Sequence, residues 1–157
     1  MKFEYEQMPE MAPLPIKTKG KSTIGAIWLW IVTTRKWKLV SDWKFSMDGV
    51  QYMIPAGFKF DGASVPKFFR SWLSPMGVLL IPGLVHDYGY KYSYLLTKYT
   101  TESYQIGFQH DQKFFDAVFR DVAIEVNGFK YLNYMAYYAL RLGGFVAWKG
   151  HRKHDKS

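Results

Sequence analysis

The chain of 157 residues predicts an α+β protein: a small N-terminal antiparallel sheet followed by a helical half of three to four helices. Three observations carry that expectation. Before Pro66, apolar residues alternate with polar ones in Trp37 and Leu39 and again in Val50, Tyr52 and Ile54, which is the period of a half-buried strand. After Pro66 the spacing widens to that of a helix face, most clearly in Phe115, Val118, Phe119 and Val122. With 48% hydrophobic against 22% charged residues, the composition excludes a wholly disordered chain. A chain of this size buries roughly 70% of its unfolded surface and needs no covalent staple.

Taken in order, residues 1–22 read as an irregular arm, with Pro9, Pro13 and Pro15 followed by the basic run KTKGK. Residues 23–150 read as one domain and 151–157 as a basic tail. Strand formers fill 24–60, and Ser46-Met47-Asp48-Gly49 reads as a hairpin turn because Gly49 can take a positive φ. Ser64 as cap and Pro66 near the first turn open a short helix through Leu73, broken at Ser74-Pro75-Met76-Gly77. Further helices are expected over about 83–97, 109–126 and 129–142. Asn127-Gly128 closes the third helix and Gly143-Gly144 the fourth.

The chain has no cysteine, which removes disulfides, thiolate nucleophiles and thiolate metal sites. A formal charge of +8, with aromatic residues at 19%, points to an anionic partner such as nucleic acid, anionic lipid or a cell-envelope polymer, without selecting among them. No recognised nucleic-acid motif accompanies the charge. Trp28, Trp30, Trp37 and Trp43 are expected in the core rather than on a ligand platform. The longest apolar run, 76–85, contains Pro82 and two glycines and is too short to span a bilayer. The N-terminus mixes acids and prolines where a signal peptide needs a basic, then apolar, stretch, so the protein is expected to be cytosolic at synthesis.

Chemistry centres on His86-Asp87, preceded by six apolar, proline or glycine residues and therefore expected to be partly buried near a helix start. Neighbours on a helix diverge by about 100°, so the two side chains divide labour. Tyr90, four residues on, shares the His86 face and can hydrogen-bond or shield it. Asp111 opens the next expected helix and, if the helices pack antiparallel, can approach His86. A carboxylate on one imidazole nitrogen fixes the tautomer and leaves the other as a general base. Asp61, in the loop GFKFDGASVP, can join Asp87 as an oxygen ligand for a hard cation such as calcium or magnesium. Ser64 reads as a helix cap rather than a nucleophile, since no GxSxG-type turn surrounds it. His110, His151 and His154 are weaker candidates.

In order along the chain, GF-x-x-DGASVP, HD-x-x-Y and D-x-x-F resemble an uncharacterised domain-of-unknown-function family of tailed phages and prophages, over about residues 37–144. That resemblance implies a phage or prophage origin and no established activity. HDYGYKY followed by HDQKFF is similar, over about 35 residues, to the catalytic helix pair of bacterial and parvoviral phospholipase A2. It implies His86 as the base that activates water, Asp111 as its orienting partner, Asp87 as calcium ligand and Tyr90 as brace. Calcium would polarise the ester carbonyl. The closely spaced glycines of that family's calcium loop have no clear match upstream of His86; Gly57 to Gly62 or Met76-Gly77 would substitute.

Three functions follow. The first is a phage-associated, calcium-dependent esterase acting on phospholipid or another envelope ester. The second is a non-catalytic virion or tail component, or a host-factor binder, in which His86, Asp87 and Asp111 are structural. The third is another metal-dependent hydrolase using Asp61, His86, Asp87 and Asp111, a set better suited to a hard cation than to zinc.

Overall fold

A computed structural model of the chain describes residues 1–15, 20, 22–24, 36–60, 79–101 and 103–154. Eight strands and three helices are described: β1 (Phe3–Tyr5), β2 (Met11–Pro13), β3 (Trp37–Leu39), β4 (Trp43–Met47), β5 (Val50–Ile54), β6 (Lys59–Phe60), α1 (Leu80–Tyr92), β7 (Leu96–Lys98), β8 (Tyr104–Ile106), α2 (Gln112–Asn127) and α3 (Lys130–His154). The arrangement is α+β, a mostly N-terminal antiparallel sheet followed by helices.

The hairpin at Asp48-Gly49 forms as expected. Met47 pairs with Val50, leaving a two-residue loop in which Asp48 and Gly49 both have positive φ, 48° and 83°. That is the backbone twist that joins right-twisted strands without splaying them. Along β4, Trp43, Phe45 and Met47 point inward while Lys44 is exposed. The Trp43 and Phe45 rings stack with centroids 4.8 Å apart, and Phe3 of β1 lies 5.5 Å from Phe45. Trp43 is buried and Trp37 packs partly buried against the same core, so both rings are core residues. Trp28, Trp30, Asp61, Ser64 and the helix expected after Pro66 lie outside the described residues.

Four expectations change. The arm read as irregular supplies β1, which pairs with β4 in a five-stranded sheet of order β1-β4-β5-β7-β8. It also supplies β2, which pairs with β3 in a second sheet of order β2-β3-β6. Three-residue strands have too little sequence to show a period, and their pairing is decided by partners more than twenty residues away. The helix expected through Thr97 stops at Tyr92, because Ser93 adopts a left-handed conformation (φ 62°) and its N–H closes on the Gly89 carbonyl at 2.7 Å. Leu96–Lys98 then enters the sheet between β5 and β8.

Helix α2 starts at Gln112 rather than Gln109 and ends at Gly128, whose φ of 72° closes it. Phe115, Val118, Phe119 and Val122 are buried along one face, as their spacing indicates. Helix α3 runs through Gly143-Gly144 to His154, so the expected tail begins inside a helix. Gly144 lies against α1, where a Cβ would collide with the Tyr90 hydroxyl; Gly143 faces open space. Gly89 plays the same part between α1 and α2, where a Cβ would overlap the Phe115 ring. These two glycines bring three helices together around one point.

Candidate functional site

That point is occupied by ionisable side chains. The i, i+4 spacing puts His86 and Tyr90 on one face of α1, with ring centroids 4.0 Å apart. Phe119 of α2 meets the imidazole edge-on at 5.6 Å. His86 is 1% exposed and Asp116, facing it from α2, is 0% exposed. The Nε2 of His86 lies 3.1 Å from Asp116 Oδ1. Tyr90 donates its hydroxyl to the same oxygen at 2.5 Å. The other carboxylate oxygen, Oδ2, accepts from Arg141 Nη1 of α3 at 2.9 Å and from the Gln112 amide at 3.3 Å. Asp116 therefore receives four donors, the full acceptor capacity of a carboxylate. Asp87 lies on the other side of the imidazole, with Oδ1 3.6 Å from His86 Nδ1.

The charges decide the protonation states. Burial alone would lower the His86 pKa, but the bond to Asp116 and the neighbouring Asp87 carboxylate outweigh it and hold the imidazole above its ordinary 6.5. Burial would likewise raise Asp116, yet the bonds from His86, Tyr90 and Arg141 outweigh it and hold the carboxyl below its usual 3.8. Burial and the Asp116 bond both push the Tyr90 phenol up, so it stays a donor throughout the physiological range. In the neutral imidazole, the bond to Asp116 places the proton on Nε2 and leaves the Nδ1 lone pair on the Asp87 side.

His86, Asp87 and Tyr90 thus come together as expected, while Asp111 does not join them. Its exposed carboxylate caps α2, accepting from the Phe114 N–H at 2.8 Å. The carboxylate that meets His86 is Asp116, five residues later. Asp111 precedes the first helical turn with an extended backbone, whereas Asp116 sits more than a turn further on. There Gly89 lets α1 approach α2 closely. The sequence holds a signal for this. After His86, D-x-x-F occurs twice, as Asp111 to Phe114 and as Asp116 to Phe119, and only the second places its acid within the buried stripe. Arg141 and Gln112 carried no comparable signal. His110 stacks on Phe114 at 3.7 Å, and its backbone N–H bonds the Ser93 carbonyl.

Asp87 offers the hard oxygen donor that a cation such as calcium takes. Among the described residues no group of three or more His, Cys, Asp or Glu is placed to hold a metal ion, and Asp61 lies outside them. Also among the described residues, no helix is long and apolar enough to cross a membrane.

Residues 37–140, which include His86, Asp87, Tyr90 and Asp116, match the model of a family described as "Protein of unknown function (DUF1353)". No curated protein and no solved structure matches.

Proposed function

We propose, for a chain that belongs to the DUF1353 family, a hydrolase in which His86 is the general base and Asp116 orients it. The observation that carries this reading is the 3.1 Å contact from Nε2 to Asp116, braced by Tyr90 on the same oxygen, which leaves Nδ1 as the basic nitrogen. This is the arrangement implied by the phospholipase A2 resemblance, with Asp116 in the part expected of Asp111. Nδ1 takes a proton from water as the oxygen attacks an ester carbonyl. Asp116, held as an anion by four donors, stabilises the imidazolium that forms. The imidazolium then returns the proton to the leaving alkoxide as the tetrahedral intermediate collapses. A hard cation such as calcium, held by Asp87 together with Asp61, would polarise the carbonyl and offset the oxyanion charge. The substrate class is phospholipid or another envelope ester, and the setting is a phage or prophage.

The test is fatty-acid release from anionic phospholipid vesicles, with calcium or with a chelator, by the wild type and by His86→Ala. Calcium-dependent release that His86→Ala lacks is the expected result. No release by folded wild type in either condition would sink the reading.

One observation favours a second reading, in which the network is structural and the protein is a virion component or a host-factor binder. His86 and Asp116 are buried almost completely, and Asp116 ties together side chains from all three described helices. In that case His86→Ala lowers the melting temperature and the wild type releases nothing. A folded variant that loses hydrolysis while keeping partner binding contradicts it.

A further inference from the structure

We propose that the outward face of α3 is a docking surface for an anionic lipid bilayer. One side of α3 turns Asn133, Ala136 and Leu140 into the molecule, where all three are buried. The opposite side carries Tyr131, Tyr134, Met135, Tyr138, Leu142 and Phe145, every one exposed, Tyr131 at 91% and Leu142 at 79%. At about 100° per residue these six fall within an arc of about 100°, a continuous stripe roughly 20 Å long. Single exposed apolar residues are ordinary, but a contiguous row marks an interaction surface.

The charge of the helix selects the occupant. Across its 25 residues α3 contains no Asp or Glu, and besides Arg141, which is paired with Asp116, its sequence carries Lys130, Lys149, Arg152 and Lys153. Lys149 follows Phe145 by four, and its ammonium lies 5.9 Å from that ring, so a cation extends the stripe itself. Arg120 of α2, ion-paired with Asp121, holds its guanidinium 5.2 Å from the Tyr134 ring of the stripe and 5.1 Å from Tyr137 beside it. A second copy docked through α3 would set a helix with no acidic residue against itself, like charge against like. Nucleic acid would accept the cations but would leave the Leu and Met side chains in water. An anionic bilayer takes both: tyrosines at the headgroup level, Leu142 and Met135 below it, and lysines on the phosphates.

The surface stands without the hydrolytic reading. If that reading holds, Arg141 and Gly144, which touch the Asp116 and Tyr90 side chains from the same helix, bring the site to the bilayer as well. The test is co-sedimentation with vesicles of phosphatidylcholine alone or mixed one to one with phosphatidylglycerol, in chelator so that no calcium-dependent hydrolysis occurs. Strong binding to the mixed vesicles, weakening as salt rises, is expected. Tyr138→Ser/Leu142→Ser should lose roughly tenfold or more in affinity with an unchanged melting temperature, since both positions are exposed. Lys149→Glu should weaken binding and reduce its salt dependence. Equal binding to both vesicle types, undiminished binding by the double variant, or a wild-type dimer that the double variant dissociates would each overturn the proposal. Vesicle binding in chelator, with no fatty-acid release when the same vesicles are given calcium, supports this surface and removes only the hydrolase reading. Hydrolysis of a soluble ester by a protein that binds no vesicle removes only this one.

Discussion

Asp116→Asn isolates the carboxylate at the centre of the three-helix junction. The amide keeps the volume but replaces one accepting oxygen with a donor, where the partners of that oxygen donate to it in the wild type. Whichever way the amide turns, it faces either His86 and Tyr90 or Arg141 and Gln112 with an N–H. Breaking a buried ion pair by removing one partner costs about 3–5 kcal/mol. Two features hold the figure to the lower end. His86 can shed its proton once its anionic partner is gone, and the Arg141 side chain is 34% exposed and recovers water. About 3 kcal/mol is therefore expected, or about 6–12 °C in melting temperature for a domain of this length. The control is Asp111→Asn, in which a good helix cap replaces another and the loss is a few tenths of a kcal/mol at most. Urea denaturation of the two variants beside wild type measures both. A loss below about 1 kcal/mol at Asp116, or a larger loss at Asp111, would refute the assignment of the buried partner.

Stability should depend on pH at both ends of the same network. The raised His86 pKa contributes stability that is complete below about 6.5 and lost as pH rises through its higher folded value. The lowered Asp116 pKa contributes stability present above about 3.8 and lost as pH falls through its lower folded value. Denaturation midpoints across the pH range should therefore decline on both sides, and His86→Gln should remove the alkaline decline. If His86 is the base, esterase activity should rise with pH through a value above 6.5, because only the neutral imidazole accepts a proton. The adjacent glycines of α3 should part in sign. Gly143→Ala, in open space, should stabilise by about 0.5–1 kcal/mol, as alanine does in a helix interior. Gly144→Ala should destabilise by about 1–3 kcal/mol, because it displaces a tyrosine hydroxyl bonded to Asp116. Thermal melts of the pair would show the split; the same sign at both positions would deny the close approach of α3 to α1.

The features legible along the chain are those that local chemistry controls. The Asp48-Gly49 turn follows from residues able to take positive φ, and the buried face of α2 follows from helical spacing. The shared face of His86 and Tyr90 on α1 follows from a separation of four. With no cysteine in the chain, any chemistry falls to histidine and carboxylates. The remaining features depend on how elements meet. Asp111 and Asp116 are both plausible partners by spacing, and the choice rests on where α2 crosses α1. Gly89 against Phe115 sets that crossing. Gly143-Gly144 looks like a helix end along the chain, yet the second glycine is there to admit Tyr90. The strands Phe3–Tyr5 and Met11–Pro13 are too short to show a period and exist because β4 and β3 satisfy their backbones. A buried carboxylate follows the same logic: it is stable only where donors from distant parts of the chain converge, and Asp116 draws them from all three described helices.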